Sequence, residues 1–200
     1  MNNRALLVID VQNEYVTGAL PITYPDLQAS LLNIGRVIDE ARNREIPVVV
    51  VKQIAPPTSP IFALGSEGIE LHAVVAERSQ DFSVEKTLPS AFAGTGLDEW
   101  LKARSIDTVI IVGFMTQNCD ESTARDATHL GYSVEFLSDA TGTLDLTNQA
   151  GSFTAQQIHD TTLVILQSRF AAVASTQQWI EALEDGSHLE RSSIYKSAVR

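Results

Sequence analysis

Thr108-Val109-Ile110-Ile111-Val112-Gly113-Phe114-Met115-Thr116-Gln117-Asn118-Cys119 decides how this chain is read. Five consecutive β-branched residues have the make-up of a strand buried on both faces, and Gly113 opens a turn. The residues that follow, with Ala124, Ala127, Thr128 and Leu130 at helical spacing, form a helix that stops at Gly131. Cys119, the single cysteine of the chain, therefore stands at a strand-to-helix turn. A cysteine is by default a small buried hydrophobe. At such a turn, however, the first backbone N–H groups of a helix are expected to lower a thiol's pKa and can bind an oxyanion, so Cys119 is a nucleophile candidate.

Outward from this turn, other apolar runs of strand length alternate with segments of helical period. They lie at residues 6–9, 46–51, 134–137 and 162–166, with a weaker one at 82–86. Leu27, Leu31, Ile34, Ile38 and Ala41 mark an amphipathic helix. Leu97, Trp100 and Leu101 mark another, with Thr95 and Asp98 spaced as a cap and its partner. With right-handed crossovers, this alternation predicts a three-layer α/β/α domain with a mainly parallel sheet of about six strands. The domain should span residues 1–186. The proline-rich stretch 55–60 is a loop, a candidate lid or subunit contact. Residues 187–200, with little periodicity and a basic excess, form a tail that is mobile or docked on a neighbouring subunit.

Composition narrows the function. Two hundred residues with 44% hydrophobic content suffice for a core, and one cysteine forms no internal disulfide, which favours a reducing, cytoplasmic setting. The first apolar run stops at Asp10, too short for a signal peptide or a membrane span. A formal charge of −11 repels nucleic acid and anionic membranes, so the expected partner is a small-molecule substrate. Walker A and GxSxG sequences are missing, and Gly94-Thr95-Gly96 meets Glu99 where a dinucleotide motif needs its third glycine.

Ligands of open α/β sheets bind outside the carboxyl ends of the strands, so polar residues there carry the information. Asp10 ends the first run, Lys86 ends the weak strand and Cys119 follows the third strong run. Together they supply a thiol nucleophile, a carboxylate to move its proton and an ammonium to hold that carboxylate charged. Asp120 and Glu121 follow the thiol, and their charge would oppose its ionisation. Gln12 and Gln117 are candidate substrate contacts, and Tyr15, Phe82, Phe92 and Phe153 are candidate pocket walls.

Val8-Ile9-Asp10-Val11-Gln12-Asn13, then Lys86-Thr87-Leu88-Pro89-Ser90-Ala91-Phe92, then the Gly113 to Cys119 turn with Thr123-Ala124-Arg125-Asp126-Ala127 and Ser138-Asp139-Ala140 after it, resemble the isochorismatase-like cysteine hydrolases. The resemblance implies an Asp10, Lys86, Cys119 triad, a cis peptide between Phe114 and Met115, and an oxyanion hole from the Met115 and Cys119 N–H groups. It also implies a homodimer or homotetramer. Members that cleave the vinyl ether of isochorismate work without this cysteine, whereas those that cleave amide-like bonds keep it. Hydrolysis of a small amide or carbamoyl bond through a thioester is therefore expected, with an ether hydrolase or a noncatalytic binding module as alternatives. Nicotinamidases of this family bind a metal through histidines introduced after the second strand. Here residues 52–57 hold none, and His72, His129, His159 and His188 are scattered without ligand spacing. No metal and no cofactor are expected.

Overall fold

The computed structural model describes residues 3–199. Six strands form one parallel sheet: β1 (Arg4–Ile9), β2 (Val48–Gln53), β3 (Phe82–Lys86), β4 (Thr108–Phe114), β5 (Ser133–Gly142) and, after a small antiparallel hairpin of β6 (Leu146–Asn148) and β7 (Gly151–Phe153), β8 (Ala172–Ala174). Their order is β3-β2-β1-β4-β5-β8, so the direction of winding reverses between β1 and β4. Helices on both faces complete the expected three layers: α1 (Leu27–Asn43), α2 (Ala73–Ala76), α3 (Leu97–Lys102), α4 (Glu121–His129), α5 (Ala155–Arg169), α6 (Thr176–Asp185) and α7 (Ile194–Ala198).

The two-residue period of a strand divides the core in two. Leu6, Val8, Val48, Val50, Ile110 and Val112 face α1 residues such as Ile34 and Ile38, with Trp179 of α6. Ala5, Leu7, Ile9, Val49, Val51, Val109 and Ile111 face Leu97 and Leu101 of α3, Ala124 and Ala127 of α4 and Leu166 of α5. Both sheet faces are covered, which is why the strands read as unbroken apolar runs.

Two local expectations need correction. Residues 162–166 are not a strand but the middle of α5; the sixth strand is β8. A reciprocal cap between Thr154 and Gln157 starts that helix, and His159, Thr162 and Leu166 are buried while Val164 and Ile165 face outward. The run was apolar enough for a strand, but its burial follows a helical stripe. At α3 the N-cap is Gly96; Thr95 Oγ1 accepts the Leu97 N–H at 3.3 Å, but the Asp98 carboxylate takes Lys102 and the Tyr132 hydroxyl instead of closing a capping box. The tail after Gly186 returns along its own chain, where Ser192 N–H donates to the Gln167 carbonyl and the Arg191 guanidinium to that of Arg169, and then forms α7.

Candidate active site

The β1 to β4 reversal places the ends of those two strands side by side, with Ile9 opposite Gly113. Gly113 has φ 128°, and a Cβ there would collide with the Ile9 carbonyl, so only glycine lets the two strands run this close together at their ends. Asp10 leaves β1 in the left-handed region at φ 51°, which aspartate tolerates better than most residues. The Phe114–Met115 peptide is cis, as the family resemblance implied. It leads into a π turn, Thr116–Asp120, that carries Cys119 at the foot of α4.

These ends bring Asp10, Lys86 and Cys119 together. Lys86 Nζ lies 2.7 Å from Asp10 Oδ2 and 3.3 Å from Cys119 Sγ, and the Asp10 and Lys86 side chains are fully buried. Gln53, at the end of β2, is a fourth member: its Oε1 accepts from Lys86 Nζ at 2.7 Å. The ammonium is thereby fixed by three acceptors from three elements. Asp10 Oδ1 has no donor among the described residues.

Gln12, an expected substrate contact, is bonded to the backbone of its own fold. Its Nε2 donates to the carbonyls of Gln53 at 2.9 Å and Ile69 at 2.8 Å, and its Oε1 accepts the Gln53 N–H at 2.9 Å. It clamps the end of β1 to the end of β2 and so orients Gln53. Thr123 plays a similar part on the other side, donating to the Cys119 carbonyl at 2.7 Å and accepting the Ala91 N–H at 3.0 Å. Buried His159 reaches the nucleophile turn from α5, with Nδ1 at 2.9 Å from Thr116 Oγ1.

A cavity of about 200 Å³ opens on the thiol, lined by Tyr15, Leu20, Gln53, Ile61, Phe62, Thr87, Pro89, Met115, Asn118 and Cys119. Of the expected walls, Tyr15 is present. Phe92 instead stacks on Tyr132, Phe82 stacks on Trp100, and Phe153 is exposed on the β6 to β7 hairpin. Gln117 is outside the lining, with its buried Oε1 unpartnered and its Nε2 near Met115 Sδ. Ile61 and Phe62, which sequence reasoning passed over, come from the end of the proline-rich loop. That loop is tied to its own chain: the buried Glu14 carboxylate accepts the Phe62 N–H at 3.4 Å and the Ala19 N–H at 2.6 Å, and Phe62 packs edge-on against Tyr15.

Electrostatics corrects the expectation of a lowered thiol pKa. Burial pushes the Cys119 thiol up, the Asp10 charge adds to this, and Lys86 only partly opposes them. Burial also raises Asp10 above the ordinary carboxylate range, against the pull of Lys86. For Lys86 itself burial acts downward, but the charges of Asp10 and Cys119 outweigh it and the ammonium is held more firmly than usual. The resting site is thus a neutral thiol beside a buried ion pair whose carboxylate has an enhanced appetite for a proton.

Among the described residues no group of three or more His, Cys, Asp and Glu side chains is placed to hold a metal ion, and no helix is long and apolar enough to cross a membrane. Residues 4–178 match the isochorismatase domain. The chain belongs to the isochorismatase family. A Burkholderia xenovorans protein of known crystal structure is 58% identical to it with a TM-score of 0.97, covering 98% of this chain and 94% of that one. Nicotinamidase 3 of Arabidopsis thaliana is 32% identical over 84% of this chain and 82% of its own length. The ureidoacrylate amidohydrolase of Variovorax paradoxus is 31% identical over 70% of this chain and 69% of its own. The isochorismatase family, as these relatives illustrate, is one of hydrolases, and its fold in this chain is the three-layer sandwich described above.

Proposed function

We propose that this isochorismatase-family protein is a cysteine amidohydrolase for a small, uncharged amide. The observation that carries the reading is one buried ammonium touching both the Asp10 carboxylate and the sulfur of Cys119, which lines the cavity. Asp10 takes the thiol proton, and the sulfur attacks the substrate carbonyl carbon. The Met115 N–H, which donates to no group among the described residues, and the Cys119 N–H stabilise the resulting oxyanion. The carbon–nitrogen bond then breaks as Asp10 returns its proton to the departing nitrogen, leaving a thioester on Cys119. Asp10 next takes a proton from water, the hydroxide attacks the thioester, and the acid leaves as the sulfur regains its proton. Lys86 stays charged throughout and balances whichever of Asp10 and Cys119 bears the negative charge.

The cavity supports the substrate class. Drug-sized ligands occupy about 300–1,000 Å³, and this volume is smaller. Leu20, Ile61, Phe62, Pro89 and Met115 make its wall mostly apolar, and Tyr15, Gln53, Thr87 and Asn118 add neutral polar groups. Among the described residues, the lining holds no cation for a substrate carboxylate. A panel of small primary amides and ureido compounds, with and without a carboxylate, assayed for ammonia release, tests this reading. Neutral compounds with short apolar acyl groups should be turned over, and exclusive turnover of the carboxylate-bearing ones would refute the class.

A further inference from the structure

Asp120 follows the nucleophile directly and plays no part in the chemistry above. Its side chain has no solvent exposure, and neither carboxyl oxygen has a hydrogen-bond donor among the described residues. An ionised carboxylate has four lone-pair sites to satisfy, and one buried without donors is strongly disfavoured. Among the described residues, the charges that act on it are those of Asp10 and Lys86. Asp10 leaves β1, Glu14 and Tyr15 lie on the turn after it, Lys86 ends β3, Cys119 is its neighbour on the π turn, and His159 reaches that turn from α5. Lys86 is the sole ammonium of this group, and it is already held by Asp10, Gln53 and Cys119.

We infer that Asp120 is a neutral carboxylic acid in the working protein, a positioning residue whose retained proton reserves the single ammonium for Asp10 and Cys119. Ionised, it would add a second negative charge to the dry floor of the site and oppose formation of the thiolate. Burial and the nearby Asp10 charge both push the Asp120 carboxyl well above the ordinary range, in agreement with the geometry. The charge that the sequence set against the thiol is therefore absent at neutral pH, and Glu121 is paired with Arg125.

Asp10 and Asp120 are the only buried aspartates among the described residues, which makes the inference measurable without turnover. Infrared spectra of the full chain, with aspartate carboxyls labelled with carbon-13, should show an isotope-shifted protonated-carboxyl band at pH 7. The band should persist in Asp10→Asn and vanish in Asp120→Asn. Absence of the band from the wild type, or its loss in Asp10→Asn with retention in Asp120→Asn, would overturn the assignment. Asp120→Asn, a neutral isostere, should also keep turnover at pH 7 and extend it to higher pH, whereas Asp10→Asn should lose it. Loss of turnover at every pH in a folded Asp120→Asn would assign Asp120 to proton transfer instead. Since the infrared test needs no substrate, its result stands apart from the fate of the amidohydrolase reading.

Discussion

Replacing Lys86 by Met keeps the length of the side chain and deletes the charge on which the site depends. The ion pair it removes spans 2.7 Å between fully buried groups. With an effective dielectric constant of about 20, a contact of that length is worth on the order of 6 kcal/mol, and relaxation of the site recovers part of this. Asp10 would not remain an unpaired buried charge; it would take up a proton. Without its counter-charge the buried Asp10 carboxyl is pushed further above the ordinary range, so at pH 7 most of it would be protonated and unable to accept the thiol proton, a loss on the order of tenfold or more in kcat/KM from this cause alone. The diagnostic is the shape of the profile: in Lys86→Met, kcat/KM should rise about tenfold per pH unit through neutrality, where the wild type is flat. The assay is ammonia release across pH 5 to 9, on an amide that the wild type hydrolyses. A variant whose acid limb coincides with that of the wild type would refute the claim that Lys86 acts by keeping Asp10 ionised.

Other outcomes follow from the same geometry. Because the Asp10 pKa is raised in the folded protein, the wild-type acid limb should lie above the free-carboxylate range, with activity lost as pH falls through it; a limb at the ordinary value near 3.9 would contradict the desolvated setting. Gln12→Met orphans the Gln53 N–H and two carbonyls, which should cost about 1–3 kcal/mol per group left unsatisfied, read as a lower urea midpoint; an unchanged midpoint would remove Gln12 from its clamping role. Gly113→Ala forces a Cβ against the Ile9 carbonyl at φ 128°, so destabilisation of about 1–3 kcal/mol or more is expected, and a wild-type melting temperature would show that the close approach of β1 and β4 there does not require glycine. Asp120→Asn should be the more stable protein above neutral pH, by a margin that widens with pH. A raised folded pKa means that the folded wild type binds the extra proton, so its stability declines as pH climbs from the unfolded value towards the folded one.

The architecture was legible because a parallel sheet covered on both faces leaves apolar runs such as 108–112 and 46–51 in the sequence. The same criterion misread 162–166, where outward-facing Val164 and Ile165 complete an apolar run on a helix that buries His159, Thr162 and Leu166. Asp10, Lys86 and Cys119 could be found because the first two close strand-like runs and the third stands at the turn between such a run and a helix. Gln53 also ends one, but a glutamine there has no distinctive signal; its place beside Lys86 depends on the pairing of β2 with β3, which sets Gln53 opposite Lys86. For Gln12 the sequence leaves a substrate contact and a backbone-satisfying role equally open, because the Ile69 carbonyl it binds is distant in the chain. The direction of the thiol shift was missed for a related reason: a helix start argues for a lowered pKa, but the depth of burial that reverses it is a tertiary property.

The most direct test of the account is the covalent state of Cys119 during turnover. Acid quenching with a hydrolysed amide, followed by intact-mass measurement and peptide mapping, should show the acyl group added to the peptide that contains Cys119. Cys119→Ala should fold, show no adduct and release no ammonia. Hydrolysis by Cys119→Ala at the wild-type rate would contradict the nucleophilic role of this thiol.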